Sequence, residues 1–300
     1  MNATPILFAL LPLTAPAPAS PALPPLSAST TAPADDALSY KECSQAYETL
    51  YEAKDAAGCA ALWRANPHWV TVTLAADFES AFSQVETGTP TKEVEHRLQR
   101  ALWGAAQATE ADMPLVSDYV ASVVGLDEYQ RTLYRDAQKI HARATTTYEE
   151  GEYDLASTIA FEVVERSIDL GDWWGAAMAY VTLGDCHTGI GTYEDAIIAY
   201  GKARILYREL GLMQNEHTTL VALARCANAL EQDVRGRLLV RAGLQLGDKL
   251  KRLVPDYDTT APHVELLRLR ALMESRLGDE DAAAATRKEL TQLEATRAGD

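Results

Sequence analysis

A hexapeptide that returns after forty residues constrains this chain more than any other feature: Gly151-Glu152-Tyr153-Asp154-Leu155-Ala156 recurs as Gly191-Thr192-Tyr193-Glu194-Asp195-Ala196. The register extends further, with Ile140 matched by Tyr180, Ala144 by Gly184 and Ala160 by Tyr200. Self-similarity at such a period marks a repeat architecture, in which each unit buries its apolar face only against its neighbours. From about Ser39 onward apolar residues fall at three- and four-residue spacing in a background rich in Ala, Leu and Glu, the pattern of amphipathic helices. Val70-Thr71-Val72-Thr73-Leu74 alternates as a strand would, but it is short, opens into Ala75-Ala76-Asp77-Phe78-Glu79, and is read as helix. The expected class is all-α, with antiparallel helix hairpins stacked as a solenoid.

Tyr180-x-x-Leu183-Gly184-x-x-His187, followed by Gly191, Tyr193, Ala196, Tyr200 and Ala203, resembles the tetratricopeptide repeat (TPR) family. Gly184 and Ala196 are small where two helices of a hairpin would cross, while Tyr180, Leu183 and Tyr200 fill the space beside the crossing. Gly191 ends the first helix in a left-handed conformation that glycine adopts freely. His187 stands where an aromatic is usual and Arg208 where a Pro is usual. The forty-residue period implies second helices longer than the family's, as in long-helix bacterial relatives such as peptide-sensing regulators. A third unit begins near His217, with Ala224, Ala227 and Gly236 in small positions, and a fourth carries Leu277-Gly278-Asp279-Glu280-Asp281-Ala282-Ala283 after an insertion containing Pro255 and Pro262.

Stop and start signals divide the remainder: Asn66-Pro67, Gly88-Thr89-Pro90-Thr91 with Glu93 as a capped restart, Met113-Pro114 and Gly125. The run from 126 to 150 would make one helix of about 37 Å at 1.5 Å per residue. The organisation expected is a signal peptide over 1–19, an Ala/Pro/Ser/Thr linker over 20–38, a helical region with divergent hairpins over 39–136, and TPR-like repeats over 137–300. The apolar stretch near the start, with Ala17 and Ala19 before Ser20, fits an export signal, and its missing basic residues leave a cytoplasmic location as the alternative. No run approaches the length of a membrane-spanning helix, so no membrane insertion is expected. Acidic residues outnumber basic ones 43 to 27, a net charge of -16 that argues against a nucleic-acid partner. Cys43, Cys59, Cys186 and Cys226 include no C-x-x-C pair; they form bridges or stay as buried thiols.

No catalytic machinery stands out. Six histidines, His68, His96, His141, His187, His217 and His263, lack the i, i+4 spacing of metal ligands on a helix, so neither metal nor other cofactor is expected. Asp185-Cys186-His187 sets a thiol beside a base, but adjacent helical residues point about 100° apart and cannot readily share a proton. Trp173-Trp174 is either an anchor for a partner or packing at the start of a repeat. The expectation is therefore a non-enzymatic scaffold that holds a protein or peptide on its concave face. The resemblance places the contacts on Gln138, His141, Thr145 and Tyr148 in one repeat, Met178, Val181, Asp185 and Thr188 in the next, and Thr218, Val221, Arg225 and Asn228 in the third. The alternative is a structural, oligomerising or regulatory module of a larger assembly.

Overall fold

A computed structural model describes residues 38–86 and 91–299. The export signal, nearly all of the linker and the Gly88-Thr89-Pro90 stop lie outside the described residues. Thirteen helices occur among those described: α1 (Tyr40–Ala53), α2 (Ala56–Ala65), α3 (Pro67–Glu86), α4 (Thr91–Glu110), α5 (Pro114–Val124), α6 (Glu128–Glu149), α7 (Tyr153–Asp169), α8 (Trp173–Ile190), α9 (Tyr193–Glu209), α10 (Met213–Ala229), α11 (Asp233–Leu253), α12 (Thr260–Arg276) and α13 (Glu280–Gly299). Each packs mainly on its chain neighbour from α6 to α13, which makes an all-α solenoid of antiparallel hairpins.

Local chemistry sets the boundaries. Ser39 and Glu42 exchange hydrogen bonds in a capping box that starts α1, and Asp127 with Gln130 does the same for α6. Pro67 and Pro114 open α3 and α5, where a missing N–H removes no helical hydrogen bond. Val70 to Leu74 lie inside α3, as read from the sequence, because Val70 and Leu74 fall on one buried helical face.

Between α7 and α11 the helices start every twenty residues, and Gly151, Gly171, Gly191 and Gly211 precede the starts with φ between +68° and +90°. Each turn closes with the same hydrogen-bond pair: Gly191 N–H donates to the Thr188 carbonyl (3.2 Å) and Thr192 N–H to that of His187 (2.9 Å). Glu231 takes the place of glycine at the next beat, with φ 54°. The period is thus divided evenly: α7, α9 and α10 have 17 residues each and α8 has 18, so the added length is shared and not confined to second helices. An insertion over 254–259 then delays α12, after which the twenty-residue beat resumes at Thr260 and Glu280. Pro262 lies within the first turn of α12, not in the loop as the sequence suggests.

First helices pack in pairs, α6 on α8 and α10 on α12, with α8 and α10 meeting at Thr188 and Cys226. Gly184 lies where a Cβ would come within 2.6 Å of the Tyr200 ring, and Gly236 is pressed against Met273. The small-residue crossings are therefore real close approaches. Helices α1 to α5 pack around Tyr47, Trp63, Phe78 and Tyr119, and the same core takes in Leu170, Tyr207, Leu210 and Leu212 from the repeats. Arg100 on α4 grips the buried Asp77 on α3 in a two-pronged ion pair, Nε to Oδ2 at 2.9 Å and Nη2 to Oδ1 at 2.5 Å. Turns joining one hairpin to the next pack on this bundle: a Cβ on Gly171 would lie 2.5 Å from Ser122, and one on Gly211 2.5 Å from the Pro67 carbonyl. Turns within hairpins, at Gly151, Gly191 and Gly278, have open space there.

Candidate functional site

The twelve positions expected to face a partner lie on α6, α8 and α10, and the fold treats them unequally. On α6, Gln138 is exposed and donates to Glu79 of α3 (3.2 Å), while His141 meets the Thr182 hydroxyl of α8 (3.1 Å), its imidazole lowered from the ordinary value by burial. Thr145 bonds back to the His141 carbonyl (3.2 Å), and Tyr148 leans on Tyr153 with ring centres 5.5 Å apart.

On α8, Met178 is 39% exposed, and Val181 is half-buried against the clusters it borders. Asp185 accepts from the Tyr200 hydroxyl (2.6 Å); its carboxyl is held above the usual range, chiefly by burial. Thr188 bonds to the Gly184 carbonyl (2.8 Å) and neighbours Tyr200 and Cys226.

On α10, Thr218 is exposed, Arg225 pairs with Glu265 of α12 (Nη2 to Oε2 2.5 Å), and Asn228 accepts from Arg276 (2.7 Å). Val221 is a correction. It is 5% exposed and belongs to a core with Ala224, Val240, Leu266, Leu269 and Met273, because α12 lies over the position that the repeat register assigns to a groove. It is unavailable to a partner.

Arg225 bonds Glu265 of α12 and acts electrostatically on Asp185 of α8 and Tyr148 of α6, so polar groups from four helices lie near one another as a strip. Burial and the Asp185 charge raise the Tyr148 hydroxyl while Arg225 opposes them. Glu265, Asp185 and Tyr200 all strengthen the hold of Arg225 on its proton, with the Glu265 hydrogen bond largest. The partner Glu265 was outside the sequence reading, because the insertion before α12 breaks the repeat register.

Gln138, His141 and Met178 also border a cavity of about 380 Å³ that extends between α3, α5, α6, α7 and α8. Its lining includes Glu79, Tyr119, Tyr134, Asp172 and Trp174. Trp173, by contrast, donates to Asp118 (2.8 Å) beside the bundle.

The Asp185-Cys186-His187 cluster separates in space. Cys186 is fully buried and its thiol is pushed up to about 11 by burial, whereas His187 bonds the Thr192 hydroxyl at the turn (3.0 Å). Cys43 and Cys59, on α1 and α2, are buried thiols pushed up to about 12, and all four cysteines are unbridged. Among the described residues no group of three or more His, Cys, Asp and Glu is placed to hold a metal ion. Two histidines that look unrelated in sequence do come together: His217 Nε2 and His263 Nδ1 point at the space over Gly247, where a Cβ would lie 3.0 and 3.1 Å from them.

No protein-family model matches the chain. No curated protein matches it either. Among solved structures it is similar to the crystal structure of BtubC (BKLC) from P. vanneervenii, with 14% identity and a TM-score of 0.48 over 87% of this chain and 91% of that one.

Proposed function

We propose that this chain is a non-enzymatic scaffold of the long-helix TPR type that holds an extended peptide or a helix of a partner protein along the face made by α6, α8 and α10. The observation that carries this reading is the strip Tyr148–Asp185–Arg225, where successive first helices present an aromatic hydroxyl, an acid and a base side by side. Such a strip orients a polar backbone or side chain, while Gln138, Met178 and Thr218 at its margins are open to contact. The net charge of -16 favours a protein partner over nucleic acid, and no helix among the described residues is long and apolar enough to cross a membrane. Export, to the periplasm or outside the cell, is proposed on residues 1–19 alone.

The test is affinity capture from native extract with the full chain beside a Thr145→Arg/Asp185→Arg variant and a Phe161→Arg variant on the opposite helix layer. Loss of one captured protein with the first variant and its retention with the second supports the groove. Equal retention by all three refutes it.

A second reading has its own observation. Phe161, Ile198, Ile205, Val234 and Leu238, on α7, α9 and α11, are each more than half exposed, an apolar row suited to self-association or assembly. Sedimentation decides: a stable dimer disrupted by Phe161→Arg and Leu238→Arg favours this alternative, and a monomer at all concentrations removes it.

A further inference from the structure

The cavity beside α6 and α8 has a floor and a mouth of different character. Tyr119, Tyr134, Ala137 and Val163 wall its interior and are each no more than 3% exposed, whereas Gln138, Ala142 and Met178 stand exposed at its margin. Two carboxylates line it and no Lys or Arg does. Glu79 is already engaged, accepting from Tyr134, from Arg135 (2.6 Å) and from Gln138 (3.2 Å). Asp172 is not matched by a cation. It is 5% exposed, and one oxygen caps α8 by accepting from Gly175 N–H (2.9 Å). Beside it the buried Ser167 hydroxyl favours the charged form of that carboxylate without balancing its charge, and Trp174 Nε1, shielded from solvent, has no acceptor. A buried carboxylate without a cation and a buried indole N–H without an acceptor are each costly to leave unmatched.

We infer that this cavity is a binding site for an organic cation on an apolar body, with the ammonium or guanidinium group against Asp172, an acceptor atom of the ligand on Trp174 Nε1, and the hydrocarbon against Tyr119, Tyr134 and Val163. The volume admits an arylalkylamine or the side chain of a Lys or Arg, and an anion would meet two carboxylates. This inference does not rest on the groove reading, since the cavity is formed with the α3–α5 bundle and its ligand need not be a peptide.

The charged form of Asp172 is disfavoured by burial, and by Glu79 as a smaller influence, so its carboxyl is pushed up to about 6. Of the other groups facing it, burial holds the Tyr119 and Tyr134 hydroxyls protonated and lowers the His141 imidazole, and Arg135 pairs with Glu79. Cation binding therefore strengthens as pH rises from 5 to 7.5.

The experiment is calorimetric titration of the full chain at pH 7.5 with 2-phenylethylamine, with its neutral analogue 2-phenylethanol, and with the capped peptide acetyl-Leu-Lys-Leu-amide. Saturable binding of an amine probe, at least tenfold tighter than that of the alcohol and weakened at least tenfold at pH 5, is the expected result. Binding of the free amine alone identifies a small-molecule ligand, and binding of the peptide alone identifies a partner side chain. Asp172→Asn, which keeps an amide able to cap α8, loses tenfold or more with an unchanged thermal midpoint at pH 5. Ala142→Trp at the exposed margin blocks entry in a chain whose core is untouched. Absence of saturable binding by both amine probes, or equal affinity for amine and alcohol, overturns the inference.

Discussion

Single residues carry the turns. Gly191 and Gly211 share a left-handed backbone, but only Gly211 is backed by another carbonyl, that of Pro67. Gly191→Ala is expected to cost about 1 kcal/mol, the strain of a Cβ at positive φ. Gly211→Ala adds a clash with backbone that cannot swing aside and is expected to cost about 3 kcal/mol in urea unfolding. Equal losses would contradict the packing of the inter-hairpin turn on the bundle. Glu231→Gly, at the same beat, should stabilise by about 0.5–1 kcal/mol. Titration acts at this scale as well. His217 is buried, and desolvation, with His263 as a lesser influence, pushes its imidazole down to about 4. A His pKa depressed by folding gives stability that is full above the unfolded value of about 6.5 and is lost as pH falls through 4. Wild type should therefore lose about 3 kcal/mol more than His217→Gln between pH 7 and pH 4. Parallel pH profiles of the two would refute the assignment.

At the scale of helices, the amphipathic spacing was legible, and so was the forty-residue register, because Gly184 and Ala196 answer to real close approaches. The twenty-residue beat was not. Gly171 and Gly211 are followed by Asp172-Trp173 and Leu212-Met213, which share no residue type with Glu152-Tyr153, and Glu231 hides the next turn altogether. What repeats there is a backbone angle and two hydrogen bonds, which many flanking side chains permit. The expected site residues divide for a related reason. Tyr148 and Asp185 stay partly open, whereas Val221 is buried in a core shared with Leu266, Leu269 and Met273 of α12, a packing partner the repeat pattern alone does not reveal. Glu79 and the cavity escaped notice because α3 lies outside the repeats. The tie between α3 and α4 makes its own prediction: Asp77→Ala strips a buried carboxylate from Arg100 and should cost about 3 kcal/mol, with Asp77→Asn intermediate. A loss under 1 kcal/mol would show that the pair is not holding these helices together.

For the whole molecule, α7 to α11 start at an even twenty-residue beat, each packed on its chain neighbour, while the α1–α5 bundle buttresses the turns between hairpins. On the proposed reading, the layer of α6, α8 and α10 meets the partner, and the polar groups across it give that layer direction. Amide hydrogen exchange of the chain, measured with and without the protein it captures, tests this most directly. The account predicts slowed exchange concentrated on α6, α8 and α10, around residues 138–148, 178–188 and 218–228. Protection confined to α7, α9 and α11 would contradict it and move the interface to the apolar row on the opposite layer.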